Sequence, residues 1–328
     1  ITARWPVDNI NGRSPDGRRL STYSTCNRSG FTQTITDAAR RNNTIHHDCK
    51  RTGRRIILQA EAAPAATGIC LYIPAGGISQ ILIMFSVDIN CDMGEGIGND
   101  ELIMPFISSA SIACGYHAGS EETMKQTIDL CLEYNVAIGA HPSFPDRANF
   151  GRTEMDLSYA AIYGLVTDQL IAISKIAKNA NAILHHVKPH GALYNMSAKN
   201  IVLASTIARA VRDFDPTLIL YGLAGSFSIG EAGKYGLKTY NEAFADRTYQ
   251  DDGSLTPRKQ TNALIKETGK VTSQVLQIIK EKTAQSVSGH SIPIVAETIC
   301  IHGDGEHAVD FAKAIHQTLR ENNIVKKI

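Results

Sequence analysis

Residues 183–196 read ILHHVKPHGALYNM, an apolar start followed by three histidines and a lysine within six positions. The apolar start is typical of a buried strand, and the proline and glycine that follow mark the end of that strand. Because side chains alternate along a strand, His186, Lys188 and His190 point to one side and His185 to the other. The stretch therefore predicts a buried strand that carries ionisable side chains to its C-terminal end.

Short apolar runs alternate with helical runs along the chain from residue 84. Seven runs predict strands, at residues 85–90, 111–117, 136–141, 182–188, 217–223, 237–244 and 293–302. Five amphipathic runs predict helices, at residues 120–135, 157–180, 200–214, 270–282 and 305–322. Strands separated by helices pair in parallel, and uniformly apolar strands are buried on both faces. The pattern favours an α/β fold, a seven-stranded parallel β/α barrel of the TIM-barrel type.

The alternative fold is an open, doubly wound sheet that binds a nucleotide. Such sheets carry G-x-G-x-x-G or G-x-x-x-x-G-K-[ST] after a strand, and the sequence contains neither motif. We therefore expect a single catalytic barrel domain over residues 84–328.

The overall composition is that of a globular protein, with 43% hydrophobic residues and a net charge of +1. Such a balanced charge gives no reason to expect nucleic acid or a membrane surface as a partner. We find no apolar run near the ~18 residues of a membrane-spanning helix and no apolar leader at the N-terminus. The seven cysteines are scattered without a C-x-x-C pair, which argues against a disulfide framework and favours a cytoplasmic location.

Residues 1–83 differ in composition from the rest of the chain. They hold ten Arg and one Lys against five acidic residues, whereas residues 84–328 hold seven Arg and fifteen Lys against 27 acidic residues. We expect residues 1–83 to lie outside the folded domain, as a disordered basic extension or as upstream sequence that is not native. The functional alternative is a basic arm that binds an acidic partner.

Polar residues gather at or just beyond the C-terminal ends of the predicted strands. They are Asp88, Asn90, Asp92, Glu95, His117, His141, Lys188, His190, Tyr194, Asn195, Glu242, Asp246, Arg247, His302 and Asp304. Each alone has an ordinary explanation as a turn residue, a helix cap or a surface ion pair. In a β/α barrel, however, these strand ends all meet at the rim where active sites lie. A shared site therefore explains them together.

The residue types at this rim suit acid–base chemistry on a carbonyl or an amide, with cations for an anionic substrate or oxyanion. Asp88, His117 and His141 would also make a plausible set of metal ligands. His186 and His190 stand four positions apart, but the proline between them argues against a helical pair of metal ligands. We therefore expect no tightly bound metal.

Seven segments carry a resemblance to a known family. They are DINCDMGEG (88–96), SASIACGYHAG (109–119), IGAHPSFPDRANFGR (138–152), HHVKPHGALYN (185–195), GLAGS (222–226), EAFADRTYQDDGSLTPR (242–258) and ICIHGD (299–304). In this order and spacing they closely resemble the LamB/YcsF family, from about residue 86 to the C-terminus. Small departures from the family pattern, at Ser111, Ser120, Thr153 and Thr261, remove no His, Lys, Asp or Glu from the strand ends, but Thr153 stands where the family commonly has an arginine that could contact phosphate.

The resemblance implies a fold, a reaction and partners. The family fold is a seven-stranded β/α barrel related to glycoside hydrolase and polysaccharide deacetylase barrels. The implied reaction is the ATP-dependent hydrolysis of 5-oxo-L-proline to L-glutamate, with ATP as co-substrate. Family members act as the A subunit of this 5-oxoprolinase, together with subunits B and C, which are thought to activate the lactam by phosphorylation.

Position and chemistry suggest catalytic roles for five of these residues. We expect Asp88 to be the base, with help from His117 or His141, and Lys188 and His190 to bind the activated oxygen or phosphate. We also expect the fold to survive the loss of Lys188 or His190, on the argument that polar residues at strand ends contribute little to the core.

We expect Glu242 to be the acid for the departing nitrogen and Arg247 or Arg258 to bind the substrate carboxylate. The other expected substrate-binding residues are Asn90, Glu95, Tyr194, Asn195, Asp246, His302 and Asp304. Two other functions stay open: a metal-dependent amide or polysaccharide deacetylase on a related barrel, and a non-catalytic binding subunit.

Overall fold

The structure, a computed structural model, describes residues 80–327 without a gap and their side chains from residue 85. Before residue 80 it describes only the backbone of seven short strands: Gly12–Arg13, Arg19–Leu20, Ser24–Cys26, Thr32–Thr34, Thr44–His47, Arg55–Glu61 and Thr67–Tyr72. The chain divides into two compact units, Ile1–Ala63 with Gly68–Leu82 and Pro64–Thr67 with Ile83–Ile328. The expectation of a disordered or non-native extension falls mostly outside the described residues and stays a prediction.

Seven parallel strands form the closed barrel of the second unit. They are β1 (Gln80–Met93), β2 (Ser109–Ala113), β3 (Ala137–His141), β4 (His186–Val187), β5 (Ile219–Leu223), β6 (Lys238–Phe244) and β7 (Thr298–Ile301). Each strand pairs with the next in the chain, and β7 closes the ring on β1, with Thr298 opposite Asp88. The predicted seven-stranded β/α barrel is therefore confirmed.

Helices follow the strands and cover the outside of the barrel. They are α1 (Asp100–Ile103), α2 (Glu121–Tyr134), α3 (Tyr159–Asn179), α4 (Gly191–Lys199), α5 (Ile201–Phe214), α6 (Phe227–Lys234), α7 (Thr268–Glu281) and α8 (Ala308–Glu321). The five predicted helices correspond to α2, α3, α5, α7 and α8. Sequence analysis missed α1, α4 and α6, which are short and begin close behind a strand, so their periodic pattern is brief.

Several predicted strand ranges differ from the structure at their ends. β1 is longer than the predicted 85–90, and β4 is only His186–Val187 of the predicted 182–188. β2 begins and ends earlier than the predicted 111–117, so His117 lies in the loop beyond the strand. The predicted run 293–302 contains β7 only in its second half, because Ser291–Pro293 pairs with Thr283–Gln285 in a separate antiparallel hairpin. Turn residues between the hairpin and β7 end the first pairing before the second begins.

Within the described part of the chain, α3 is the one helix long and apolar enough to cross a membrane by length and composition alone. This corrects the expectation that no apolar run approaches that length. Ile162, Val166 and Leu170 of α3 are buried in the main hydrophobic core, and α3 packs on α2 and α5. Its apolar face is therefore used within the helical layer of the barrel.

The barrel interior is polar, whereas the space between strands and helices is apolar. Along β1, Val87 and Ile89 belong to the hydrophobic core, while Asp88, Asn90 and Asp92 alternate with them and are also buried. Branched apolar side chains usually fill the interior of such a barrel. Here buried polar groups replace them, and each needs a partner because water is excluded.

The lower interior layer is organised around the Asp88 carboxylate. Hydroxyl groups of Ser108, Ser109, Tyr221 and Thr298 donate to it over 2.7, 2.8, 3.1 and 2.6 Å. Burial raises the pKa of Asp88, and these four hydrogen bonds oppose that rise. The carboxylate is therefore enclosed by hydroxyl donors deep inside the barrel.

His186 packs beside this layer and requires a glycine on the neighbouring strand. Its ring stacks on Tyr221 at a centroid distance of 4.1 Å, and its Nε2 lies 3.2 Å from the Ser111 hydroxyl. His186 lies opposite Gly139 in the register of β3 and β4, and a Cβ on Gly139 would overlap the imidazole ring. The inward facing that strand alternation predicts for His186 is the one observed.

We predict that Gly139→Ala destabilises the barrel by about 1–3 kcal/mol or more, because the added methyl group must displace a buried ring. The measurement is urea unfolding of the full chain. Gly164→Ala is the matched control, since a Cβ at Gly164 in α3 meets no atom within 4 Å. That helical replacement should stabilise by about 0.5–1 kcal/mol. Equal effects of the two substitutions would contradict the interpretation.

Candidate active site

The upper interior of the barrel is built around the Lys188 ammonium group. Its Nζ lies 2.7 Å from Asp92 Oδ1, 2.8 Å from Glu242 Oε1 and 3.0 Å from Asn90 Oδ1. Burial alone would lower the pKa of Lys188, but its acidic neighbours, Asp92 first among them, together outweigh burial and raise the pKa well above its ordinary value. Lys188 is thus a buried cation whose donors are already engaged by the protein.

Asp92 connects this cation to the histidines of the rim. Burial would raise the pKa of Asp92, but His141 and Lys188 together outweigh burial and hold it well below the ordinary range. Asp92 Oδ2 lies 3.4 Å from His141 Nε2. The carboxylate is therefore ionised and shared between the lysine and the imidazole.

Three histidines and one glutamate converge just above Asp92. His141 Nε2 and His190 Nδ1 are 2.9 Å apart, and Glu95 Oε1 lies 3.2 Å from His117 Nε2 and 3.7 Å from His190 Nδ1. The rings of His117 and His190 stack with centroids 3.8 Å apart. We call these four residues the histidine cluster.

Hydrogen bonds on the far side of two of the rings determine where their protons are. His141 Nδ1 donates to the Lys188 carbonyl over 2.7 Å, and His190 Nε2 donates to the Phe150 carbonyl over 2.9 Å. A carbonyl can only accept, so both of these outer nitrogens carry a proton. In the neutral rings, the inner nitrogens therefore present lone pairs to the cluster.

The third ring is oriented in the same way by a serine. His117 Nδ1 lies 2.8 Å from the Ser143 hydroxyl, which itself donates to the Phe144 carbonyl over 3.0 Å. Since the serine proton is used, the hydroxyl accepts from His117 Nδ1. His117 Nε2 then carries a lone pair, and burial, followed by the nearby His141, lowers the pKa of His117 to about 2.

The loop after β3 supplies two of these three outer partners, the Phe150 carbonyl and the Ser143 hydroxyl. Asp146 holds the loop by accepting from the backbone of Asn149 and Thr153 over 3.3 and 3.1 Å. Gly151 has a φ of +66°, and a Cβ there would come within 2.8 Å of the His117 side chain. Only glycine permits both the conformation and the close approach that place the Phe150 carbonyl against His190.

A second group of polar residues lies beside the cluster, at the ends of β6 and β7. His302 Nδ1 donates to both oxygens of Asp246, at 2.9 and 3.0 Å, and the His302 ring stacks on Phe244. Burial would raise the pKa of Asp246, but His302 and then Arg247 outweigh burial and lower it. This pair is a fixed wall of the pocket.

Two arginines differ in their availability to a ligand. Arg247 is buried and donates to the carbonyls of Ala263 and Thr256 over 3.2 and 2.6 Å, so it holds the loop after β6. Arg152 is about a third exposed, at 35%, lies over the Phe150 ring and pairs with Asp304 at 2.5 Å. Arg152 is therefore the cation of the rim nearest the cluster.

Glu242 and Tyr194 keep unused hydrogen-bonding capacity inside the site. Glu242 Oε1 accepts from Asn90 Nδ2 over 2.8 Å, whereas Glu242 Oε2 and the Tyr194 hydroxyl make no hydrogen bond within residues 85–327. Burial, and then the charge of Glu242, raise the pKa of Tyr194 well above its ordinary value. Unsatisfied buried polar atoms are costly, and they are often found where a ligand binds.

Comparison with known proteins identifies the family of this chain. The sequence profile of the LamB/YcsF family matches residues 87–327. The chain belongs to the LamB/YcsF family. The 5-oxoprolinase A subunit of Bacillus cereus (strain AH187) is 49% identical over 247 residues, which are 74% of this chain and 98% of that protein. The 5-oxoprolinase A subunit of Bacillus cytotoxicus is 49% identical over 246 residues, again 74% of this chain and 98% of that protein.

A solved structure agrees with this assignment. The lactam utilization protein of Thermus thermophilus superposes with a TM-score of 0.70 at 37% identity, covering 74% of this chain and 99% of that one. The match lies in the part of the chain that forms the barrel. The relatives' names support a hydrolase role related to 5-oxoprolinase.

In this LamB/YcsF barrel most of the predicted site residues do come together. The histidine cluster, Asp92, Lys188, Glu242, Asn90 and Tyr194 form one connected site, and Asp246, Arg247, His302 and Asp304 line its side. Arg258 is exposed, and its charge reaches Asp246 and Arg247.

Two predicted residues do not reach the histidine cluster. Asp88 lies one interior layer below, with its oxygens taken by hydroxyl donors, because residues 88, 90 and 92 climb the same inner face of β1. Asn195 is exposed on α4, and its side chain donates back to the Gly191 carbonyl. Neither position suits contact with a substrate at the rim.

Sequence reasoning also missed residues that orient the cluster. Ser143, Phe150, Gly151 and Arg152 all lie in the segment 138–152, which carries part of the family resemblance, but they belong to the loop beyond β3 and only Arg152 is charged. Phe150 acts through its backbone carbonyl, which a sequence does not display. The signal that could have found this loop was the density of glycine, proline and aspartate after β3.

The contacts of Lys188 revise the expectation that its loss leaves the fold intact. Lys188→Met should destabilise the protein by about 3–5 kcal/mol, because Asp92 and Glu242 would stay buried without their cation. Urea unfolding of the full chain measures this. Lys270→Met is the control, since Lys270 pairs with Glu267 and both side chains are exposed, so its loss should cost only about 0–1 kcal/mol.

Adding Asp92→Asn and Glu242→Gln to Lys188→Met should restore part of the lost stability, since the uncompensated charges are gone. A Lys188→Met variant as stable as Lys270→Met would show that the ammonium is not what holds the upper interior together.

Proposed function

We propose that this chain opens the lactam ring of 5-oxo-L-proline to give L-glutamate, as the A subunit of an ATP-dependent 5-oxoprolinase with subunits B and C. Its family and the names of its relatives support this reaction. The observation that carries the proposal is the histidine cluster at the C-terminal rim, where lone pairs, carboxylates and an arginine surround one pocket. This is where catalytic groups of β/α barrels lie.

The ATP requirement follows from the chemistry of the substrate. A five-membered lactam is an amide and a poor electrophile, and phosphorylation of its oxygen creates a leaving group. We assign that phosphorylation to subunits B and C. The barrel then has to position and activate water, bind two anionic groups and protonate the ring nitrogen.

The histidine cluster and Asp92 are the groups that hold and activate the attacking water. His190, like His117, is kept neutral because burial and the neighbouring His141 hold its pKa well below its ordinary value. Asp92 is ionised and oriented by Lys188. Lys188 is therefore a positioning residue, and the role of base passes from Asp88 to this cluster.

The remaining groups suit the substrate and the leaving nitrogen. Arg152 and Arg258 are the arginines with free surface at the rim, so they are our candidates for the carboxylate and the phosphate. Tyr194 keeps its proton because its pKa is raised, and it lies with Glu242 where the protein leaves hydrogen-bonding capacity unused. We propose this pair as the proton donor to the ring nitrogen. The dependence on ATP is consistent with a cytoplasmic location.

The test of the proposed function is reconstitution with purified subunits B and C. Glutamate should form from 5-oxo-L-proline only when the full chain, both partners and ATP are all present. Glutamate formation by B and C alone would remove this chain from the reaction. Glutamate formation by the chain alone, without ATP, would instead support the alternative of a metal-dependent amide hydrolase.

Within that assay, Glu95→Gln should lower glutamate formation by ~10²-fold or more, because the cluster loses its carboxylate without losing volume. His185→Gln is the matched control: His185 is half-buried at the start of β4 and does not contact the cluster, so most activity should remain. Full activity of Glu95→Gln would place the chemistry elsewhere.

A further inference from the structure

The atoms that face one another in the histidine cluster are mostly hydrogen-bond acceptors, because the ring protons point outward. The inner nitrogens of His117, His141 and His190 and one oxygen of Glu95 all lie within 4.8 Å of one another. All four atoms are acceptors when the rings are neutral, because the outer nitrogens carry the protons. Within the described residues, no donor stands among these four atoms other than the rings themselves.

The contact between His141 Nε2 and His190 Nδ1 makes the problem sharpest. Two lone pairs at 2.9 Å repel each other unless a proton or a cation lies between them. One extra proton would satisfy this pair. His117 Nε2 and Glu95, which face each other at 3.2 Å, would need a second proton. A single cation bound by all four atoms satisfies them together.

The outer hydrogen bonds match those of metal-bound histidines. A ligating imidazole almost always donates its other N–H to a carbonyl, a carboxylate or an equivalent acceptor, which fixes the tautomer and aims the ring. All three rings do this, toward the Lys188 carbonyl, the Phe150 carbonyl and the Ser143 hydroxyl. Two segments of the chain, the end of β4 and the loop after β3, thus orient all three rings from behind.

We propose that Glu95, His117, His141 and His190 bind one divalent transition metal ion, with zinc as the expected occupant. Three imidazole nitrogens suit zinc and its neighbours in the first row, whereas magnesium and calcium require oxygen ligands. Metal–ligand bonds of about 2.0–2.1 Å give a tetrahedral edge of about 3.3 Å. Three of the six ligand-to-ligand distances, at 2.9, 3.2 and 3.7 Å, bracket that edge, and all six are within 4.8 Å.

A second group of potential ligands nearby does not qualify. Asp92, Cys300 and His302 also approach one another closely enough to hold a metal ion. The Lys188 ammonium, however, lies 2.7 Å from Asp92 Oδ1 and 3.1 Å from Cys300 Sγ. Because this cation already fills the space between the ligands, a second one would be repelled.

The metal site replaces the sequence-based expectation of chemistry without a metal. The cluster that sequence reasoning weighed used Asp88, but the structure puts Glu95 and His190 in its place beside His117 and His141. The site itself does not rest on the proposed function. Within that function, a bound zinc would act as a Lewis acid on a water that joins it as a fifth ligand.

The experiment is calorimetric titration of the chelator-treated full chain with zinc chloride alone and, separately, with magnesium chloride alone. One equivalent of zinc should bind at the histidine cluster, at least ~10²-fold more tightly than magnesium. Bound zinc should also raise the melting temperature of the protein. His117→Gln and Glu95→Gln should each weaken this binding by ~10-fold or more. His185→Gln and His302→Gln, which spare the cluster, should leave it unchanged.

Replacement of zinc by cobalt adds a readout that does not depend on stability. The visible spectrum of bound cobalt reports its ligands, so Glu95→Gln should change that spectrum, whereas His302→Gln should not. Absence of zinc uptake, equal binding of magnesium, or zinc binding untouched in His117→Gln would each overturn the proposal. Zinc binding without 5-oxoprolinase activity would refute the proposed function and leave the metal site standing.

Discussion

The ammonium group of Lys188 is the interaction on which the rest of this barrel depends. It neutralises the carboxylates of Asp92 and Glu242 and donates a hydrogen bond to the side-chain oxygen of Asn90. Water does not reach this part of the barrel to replace these contacts. An uncompensated carboxylate there would cost several kcal/mol. The polar interior of the barrel is therefore stable only while the Lys188 ammonium stays between these carboxylates. Lys188 directly follows β4, His186–Val187, and this strand fixes its position.

The same constraint links the fold to the chemistry. Lys188 holds Asp92 with its side chain, and its backbone carbonyl receives the proton of His141 Nδ1. One residue therefore positions both a carboxylate and an imidazole of the rim. The loop after β3 completes the arrangement through the Phe150 carbonyl and Ser143. Groups held from behind in this way lose little freedom when a ligand binds, which favours precise chemistry.

Much of the site was predictable because strand order and strand period were readable. Alternation placed His186 and Lys188 on the inner face, and the barrel rule brought His117, His141 and His190 to one rim. Asp88 was expected at the rim but lies one layer deeper in the barrel. Alternation predicts which face of a strand a side chain occupies, but not how far along the barrel axis it lies. The strength of Lys188's contacts was also missed, since a sequence does not show which carboxylates surround a buried amine.

The sequence by itself determined the barrel, its family and the residue types that meet at the rim, because period, order and local motifs are properties of the chain alone. Only the tertiary structure decided which nitrogen of each histidine carries the proton. That choice depends on carbonyl and hydroxyl groups that fold against the rings from positions 26 to 47 residues away in the chain. Three lone pairs and a carboxylate facing one another are therefore a property of the fold.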